Sequence, residues 1–277
     1  MKKYLLLFSA LFVLAACNSE NNDSKENTAD STIVTTDHSK QSTSSSTKNS
    51  STADTTSVTQ TKPQNESSQT NSSHENHALS AMEELQANYP NERFPDPATI
   101  SGGKPIGIAV SEESQLLTVT YYVVEKATPL NDPILNDQSP IAQFQRKIFS
   151  TKEAAKDEVG QTYDPNGQPV DLGYDITGYQ TAGAGSSFLM WQEGNWSLAV
   201  QANNLEQESP LPLAKQTVEY LERVFLPIPH EVGQISFRVT PSDYQANQVV
   251  WQDNQTVYTI MNADSMSSLK MAVSMTK

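Results

Sequence analysis

Cysteine is all but missing from this chain: its 277 residues hold one, Cys17, and none lies downstream of it. A region without thiols has no disulfide staple and no thiolate metal ligand, so its core alone must stabilise it. Histidine is nearly as scarce. Of four, only His230 falls beyond residue 77, which removes the spaced Cys/His groups that a zinc site requires. Positive charge is thin, with 18 Lys and Arg against 32 Asp and Glu, for a net charge of −14. Such a chain has few cations with which to hold nucleic-acid phosphates, and it repels anionic lipids and wall polymers. Long apolar runs are also absent, save one. Tyr4 to Ala16, broken only by Ser9, is shorter than the roughly 20 residues of a membrane-spanning helix.

That run follows Met1-Lys2-Lys3 and ends in the small residues Ala15 and Ala16. Positive start, short apolar middle and small-residue end are the order of a secretory signal peptide, expected over residues 1–16. Leu14-Ala15-Ala16-Cys17 resembles the lipobox of bacterial lipoproteins. The resemblance implies a diacylglyceryl group on the Cys17 sulfur and cleavage immediately before it by lipoprotein maturation enzymes. It makes Cys17 the lipidation site and places the protein on the outer face of the cell membrane. Two acyl chains hold a protein stably where one is marginal. Residues 10–16, "ALFVLAA", also resemble the short hydrophobic peptides that some Gram-positive lipoproteins release as mating pheromones. A signal-peptide-derived pheromone is therefore one alternative function.

From Asn18 to His77, 35 of 60 residues are Ser, Thr or Asn, and no hydrophobic period exists. Composition of this kind cannot bury a core, so residues 17–77 are expected to be the lipidated cysteine and a disordered tether. A flexible chain of that length has a root-mean-square reach of roughly 40–45 Å, a spacer from the membrane. His38, His74 and His77 fall in it as solvated residues. The tract carries eight acidic and four basic residues and the signal two lysines, which leaves −12 on residues 78–277.

Those 200 residues suffice for one acidic domain. Ser80-x-x-Glu83 is a capping box opening a short helix, with Met82, Leu85 and Tyr89 on one face and Tyr89-Pro90 ending it. Strands are expected at 106–110, 116–124 and 141–149, with a loop over 130–140 and a helix capped at Ser150-Thr-Lys-Glu153 running to Val159. Tyr163 to Gln168 is turn chemistry, and short strands follow at 176–179 and 187–191. Glu193-Gly194-Asn195 joins the last of these to Trp196–Val200 as a tight hairpin. Ala214, Val218, Leu221 and Phe225 then share the face of a helix stopped by Pro227 and Pro229.

"LMWQEGNWSLAVQ" (189–201) aligns without a gap on "VVWQDNQTVYTIM" (249–261), matching Trp191 with Trp251 and Glu193 with Asp253. Each copy precedes a helix-compatible stretch, the second over Leu269–Met275, and residues 116–159 are a divergent third candidate. The expected fold is therefore α+β: an antiparallel sheet of hairpin-then-helix units, helices packed on one face, with an internal duplication in view. The pattern resembles uncharacterised extracytoplasmic domains of Gram-positive lipoproteins and anti-sigma regulators, over about the last ninety residues. That resemblance carries no functional residues with it.

Little points to catalysis. No Gly-x-Ser-x-Gly occurs, and Ser186 and Ser187 have no nominated base. Asp164 to Asp175 superficially suggests a calcium loop, yet its sixth place is Pro169 and its twelfth is Asp175 rather than Glu. Carboxylates could still act on wall glycans, with Asp171, Asp175 and Glu193 the first candidates. The aromatics Tyr174, Tyr179, Trp191, Trp196 and Trp251 are the candidate ligand-binding residues, weighed against a plain core role. The expected function is a membrane-anchored surface lipoprotein with a non-catalytic domain that binds an envelope component or partner protein. No cofactor, metal or nucleic acid is expected, and a carboxylate-dependent wall hydrolase is the enzymatic rival.

Overall fold

Alternation of apolar and polar side chains over seven or eight residues dominates the chain, and such segments pair as strands with one face buried. The computed structural model describes residues 79–276. The signal peptide, Cys17, the tether and its three histidines lie outside the described residues. Ten strands form one sheet: β1 (Ile106–Glu113), β2 (Leu116–Val123), β3 (Ala142–Ile148), β4 (Gln168–Gly173), β5 (Ile176–Gly183), β6 (Ser186–Glu193), β7 (Trp196–Asn203), β8 (Gly233–Arg238), β9 (Asn247–Asp253) and β10 (Thr256–Asn262). Across the sheet their order is β1-β2-β3-β10-β9-β8-β7-β6-β5-β4.

Every neighbouring pair is antiparallel except β7 and β8. The exception corrects the all-antiparallel expectation, and its cause is the connection. After β7 the chain crosses back through α3 (Leu211–Leu221), so β8 starts at the end of the sheet where β7 starts, with Gly233 beside Trp196. Only a crossover of this kind can join parallel neighbours.

Three helices lie over one face. These are α1 (Ala81–Asn88), α3 and α4 (Ser265–Ser274), whose Leu85, Val218 and Leu269 enter the main core with Leu117, Phe144, Leu189, Leu198, Ile235 and Ile260. The expected capping box is present: Ser80 Oγ accepts from the Glu83 N–H at 3.3 Å, and the Glu83 carboxylate accepts from the Ser80 N–H at 2.7 Å. The expectation that all helices share that face is corrected by α2 (Lys152–Val159). Its Ala155 and Val159 join Val232, Val250 and Val257 in a separate small core on the opposite face. Val250 and Val257 alternate with Trp251 and Tyr258 of the main core, so the two clusters flank the sheet.

The two aligned segments form hairpins of equal register. Trp191 faces Leu198 and Glu193 faces Trp196 in the first; Trp251 faces Tyr258 and Asp253 faces Thr256 in the second. Residues 116–159 differ, since the helix closing them, α2, lies on the other face. Tyr121 of β2 is fully buried in the core, and its hydroxyl has no hydrogen-bond partner among the described residues, while burial pushes its pKa far up. A buried unsatisfied hydroxyl costs about 1–3 kcal/mol. Tyr121→Phe is therefore expected to raise stability by about 1 kcal/mol in denaturant titration, and a loss of stability would show that the hydroxyl is satisfied.

Candidate functional site

One end of the sheet gathers the turn between β6 and β7, the turn between β9 and β10, and the first residues of β8. A rail of aromatic rings crosses the strands there. Trp196 meets Trp251 at 6.4 Å between centroids, Trp251 stacks on Tyr258 at 5.2 Å, and Tyr258 stacks on Phe144 at 6.2 Å. Phe94 and Tyr89 extend it edge-on. Each such pair contributes about 0.5–1.5 kcal/mol beyond the area it buries. Strand β8 runs between Trp196 and Trp251, and the rings meet across it because the residue paired with both is Gly233. A Cβ there would stand 2.5 Å from Trp196 Cε3.

The five candidate aromatics do not converge on one exposed groove. Trp191, Trp196 and Trp251 are buried to 1%, 7% and 4% residual exposure, as core residues. Tyr174 is exposed at the turn between β4 and β5, and Tyr179 sits half-buried edge-on to Tyr163. Tyr179 alternates with Gly178, which abuts Leu172 and Leu189 of the main core, so Tyr179 belongs to the opposite face.

What the tryptophans do supply is the floor of two hollows. One, of about 440 Å³, is bounded by Glu193, Trp196, Leu221, Phe225, Pro227 and Ile228. The second, about 330 Å³, is bounded by Glu92, Arg93, Ile228, Trp251, Asp253 and Tyr258. Between them runs the segment from the end of α3 to β8. Here the sequence reading needs correction. Helix α3 ends at Leu221, so Phe225 is not on its buried face but 87% exposed, and Ile228 is 91% exposed. They are the two most exposed large apolar side chains among the described residues. Pro227 and Pro229 flank Ile228 and restrict the backbone of the segment.

The rim is acidic. Glu193 is half-buried, and its carboxylate accepts from Trp191 Nε1–H at 2.8 Å. Burial pushes the Glu193 pKa up, the indole hydrogen bond pulls it down, and the nearby Glu222 carboxylate pushes it up; the net direction is upward. The carboxylate acting on Glu193 is thus Glu222, not Asp171 or Asp175. Asp171 instead accepts from the Gly173 N–H, within its own hairpin. A raised folded pKa means that the stabilising contribution of Glu193 is complete below the unfolded value and is lost as pH rises through the folded one. Glu193→Gln keeps an acceptor for Trp191. It is expected to melt above the wild type at neutral pH and to converge with it in acid, and lower stability at every pH would refute this.

The remaining candidates lie in turns. Asp164 Oδ1 accepts from the Asn166 N–H at 2.9 Å, an Asx turn, and no group of three or more metal-ligating side chains occurs among the described residues. His230 is exposed, and its backbone N–H donates to the Gln252 carbonyl at 2.8 Å. Sequence reasoning missed Phe225 and Ile228 as exposed residues. Their signal was an apolar pair beside two closely spaced prolines, which end the helix before it can bury them.

Comparison with known proteins bears on the N-terminus alone. Residues 1–18 match the model of the prokaryotic membrane lipoprotein lipid attachment site. No curated protein and no solved structure matches the chain. The attachment site marks a membrane-anchored lipoprotein, and Cys17 is the only cysteine available to it.

Proposed function

We propose that this is a surface lipoprotein of a Gram-positive-type cell, held at the outer face of the membrane by a diacylglyceryl group on Cys17. Its acidic domain is non-catalytic and docks a segment of a partner protein. The segment carries apolar side chains flanked by Lys or Arg. The observation that carries this reading is the exposed pair Phe225 and Ile228 between two hollows floored by tryptophan. Exposed apolar pairs beside concave apolar surface are where partners bind. Glu193, Glu222 and Asp253 around that surface, on a region of net charge −12, set the sign of the partner. The same charge disfavours the anionic membrane surface as occupant. A wall glycan lacks the apolar side chains that Phe225 and Ile228 would meet. We further read the two equal-register hairpins with their helices α3 and α4 as copies of one duplicated unit.

Selection of random displayed peptides on the full-length lipoprotein in nanodiscs tests the docking reading. Enriched peptides are expected to pair apolar residues with flanking Lys or Arg and to bind more weakly as salt rises. Enrichment without basic residues would overturn the electrostatic part. Binding of lipid vesicles through Phe225 and Ile228 would overturn the choice of occupant. Turnover of a wall polymer, abolished by Glu193→Gln, would favour the hydrolase.

A further inference from the structure

Among the described residues, the face of the sheet that carries α2 is not covered along its whole width. Over β6 to β9 it holds a cavity of about 320 Å³, whose lining includes Phe188, Met190, Ala199, Gln201, Arg238 and Gln248. Alternation places these side chains opposite the main core, since their neighbours Leu189, Leu198, Val200, Phe237 and Val249 belong to it. Its lining mixes apolar Phe188, Met190 and Ala199 with polar Gln201, Gln248 and Arg238, so one ligand could meet both kinds of surface there.

Arg238 is the anomaly. The other arginines are engaged: Arg146 with Glu92 and Glu112, Arg223 with Glu219, and Arg93 with the Met275 carbonyl. The Arg238 guanidinium has neither an ion pair nor a hydrogen bond among the described residues. It borders a second hollow that also holds Glu206 and Glu208, yet pairs with neither. Glu208 accepts from the Asn203 N–H at 2.8 Å instead. In a strongly acidic domain, a cation left open at the edge of a cavity is a receptor for an anion.

The amides beside it add direction. Gln201 Nε2 donates to Ser186 Oγ at 3.1 Å, and Gln248 Nε2 donates to the Gln245 carbonyl at 3.1 Å. Gln234, beneath, is occupied at both ends: it accepts from the Thr162 N–H at 2.8 Å and donates to Ser236 Oγ at 3.2 Å. Among the described residues, no donor reaches the side-chain oxygens of Gln201 and Gln248. A ligand suited to this set presents an anion to Arg238, N–H groups to the two amide oxygens, and an aliphatic group to Phe188, Met190 and Ala199.

We propose that this cavity binds an α-carboxylate beside an N–H group and an aliphatic side chain, the chemistry shared by a free amino acid and a peptide C-terminus. Arg238 forms the fork for the carboxylate, and Gln201 and Gln248 accept from the nitrogen. The site is on the other face from Phe225 and Ile228 and does not depend on the docking reading.

Calorimetric titration of the full-length lipoprotein in nanodiscs with leucine, N-acetyl-leucine and leucinamide tests it. Leucine or N-acetyl-leucine is expected to bind, leucinamide to bind about tenfold more weakly or less, and Arg238→Gln to cause a similar loss. Arg238→Lys should restore part of the affinity but not the forked geometry. Because Arg238 is exposed and unpaired, its variants should melt at the wild-type temperature, so loss of binding cannot be assigned to unfolding. Tighter binding of leucine identifies a free amino acid as the source, and tighter binding of the acetylated form a peptide end. Equal binding of leucinamide, indifference to Arg238→Gln, or no binding of any probe at millimolar concentration overturns the proposal. Phe225→Asp/Ile228→Asp should leave all these affinities unchanged.

Discussion

Replacing Gly233 with alanine is expected to lower the melting temperature by roughly 4–10 °C, a loss of about 2–3 kcal/mol in a domain of this size. The methyl carbon would lie 2.5 Å from Trp196 Cε3 and 2.7 Å from Cδ2, inside any permitted contact. The indole cannot simply swing away. It is buried, meets Trp251 across the gap, and through Trp251 is joined to Tyr258 and Phe144. Gly183 is the control. It is also in a strand, but an added Cβ meets nothing within 4 Å, so Gly183→Ala should be close to neutral. Trp196→Phe in the Gly233→Ala background should recover part of the loss, a coupling that a double-mutant cycle measures directly. Equal effects of the two glycine substitutions would dissolve the steric argument.

Cys17→Ser is expected to move nearly all of the protein from the membrane fraction to the soluble or secreted fraction. The lipid attachment site spans residues 1–18, and the chain contains no other sulfur nucleophile of this type. Each acyl methylene buried in a bilayer contributes about 0.8 kcal/mol, so the two chains of the proposed diacylglyceryl group would make release negligible and their loss would remove that anchor. No helix among the described residues is long and apolar enough to cross a membrane in its place. The intact lipoprotein should resist a high-salt wash and enter detergent. If the serine variant pellets with membranes and resists the same wash, the anchor lies elsewhere.

Much of the sheet was legible because its signals are local. The capping box at Ser80 and Glu83 and the hairpin turn at Gly194 sit within a few residues of what they determine. Strands β4 and β8 were not anticipated. Both follow turn signals, around Gln168 and His230, which mask their start, although Ile235-Ser236-Phe237-Arg238-Val239 alternates as a half-buried strand should. The side of the sheet taken by α2 was not local information: it depends on Val232, Val250 and Val257, about 75 to 105 residues later in the chain. Nor could periodicity reveal where α3 stops. Phe225 keeps the helical spacing after Leu221, yet the helix has ended and the side chain points into solvent.

The tryptophans show the limit most clearly. Type and spacing marked Trp191, Trp196 and Trp251 as either core or ligand contacts. They are buried, and it is Phe225 and Ile228, at the edges of the hollows that Trp196 and Trp251 line, that are exposed. Gly233 needed the pairing of β8 with both β7 and β9 before its role could be seen.

The measurement that bears most directly on the docking reading is the affinity of a selected apolar, basic peptide for three full-length lipoproteins in nanodiscs: wild type, Phe225→Asp/Ile228→Asp, and Leu205→Asp. Leu205 is 81% exposed and borders neither of the tryptophan-floored hollows, so its variant controls for the added charge of an aspartate on exposed apolar surface. The account predicts at least a tenfold loss in the double variant, about 1.4 kcal/mol or more, and wild-type affinity in the Leu205 variant. Equal affinity for all three proteins would contradict it.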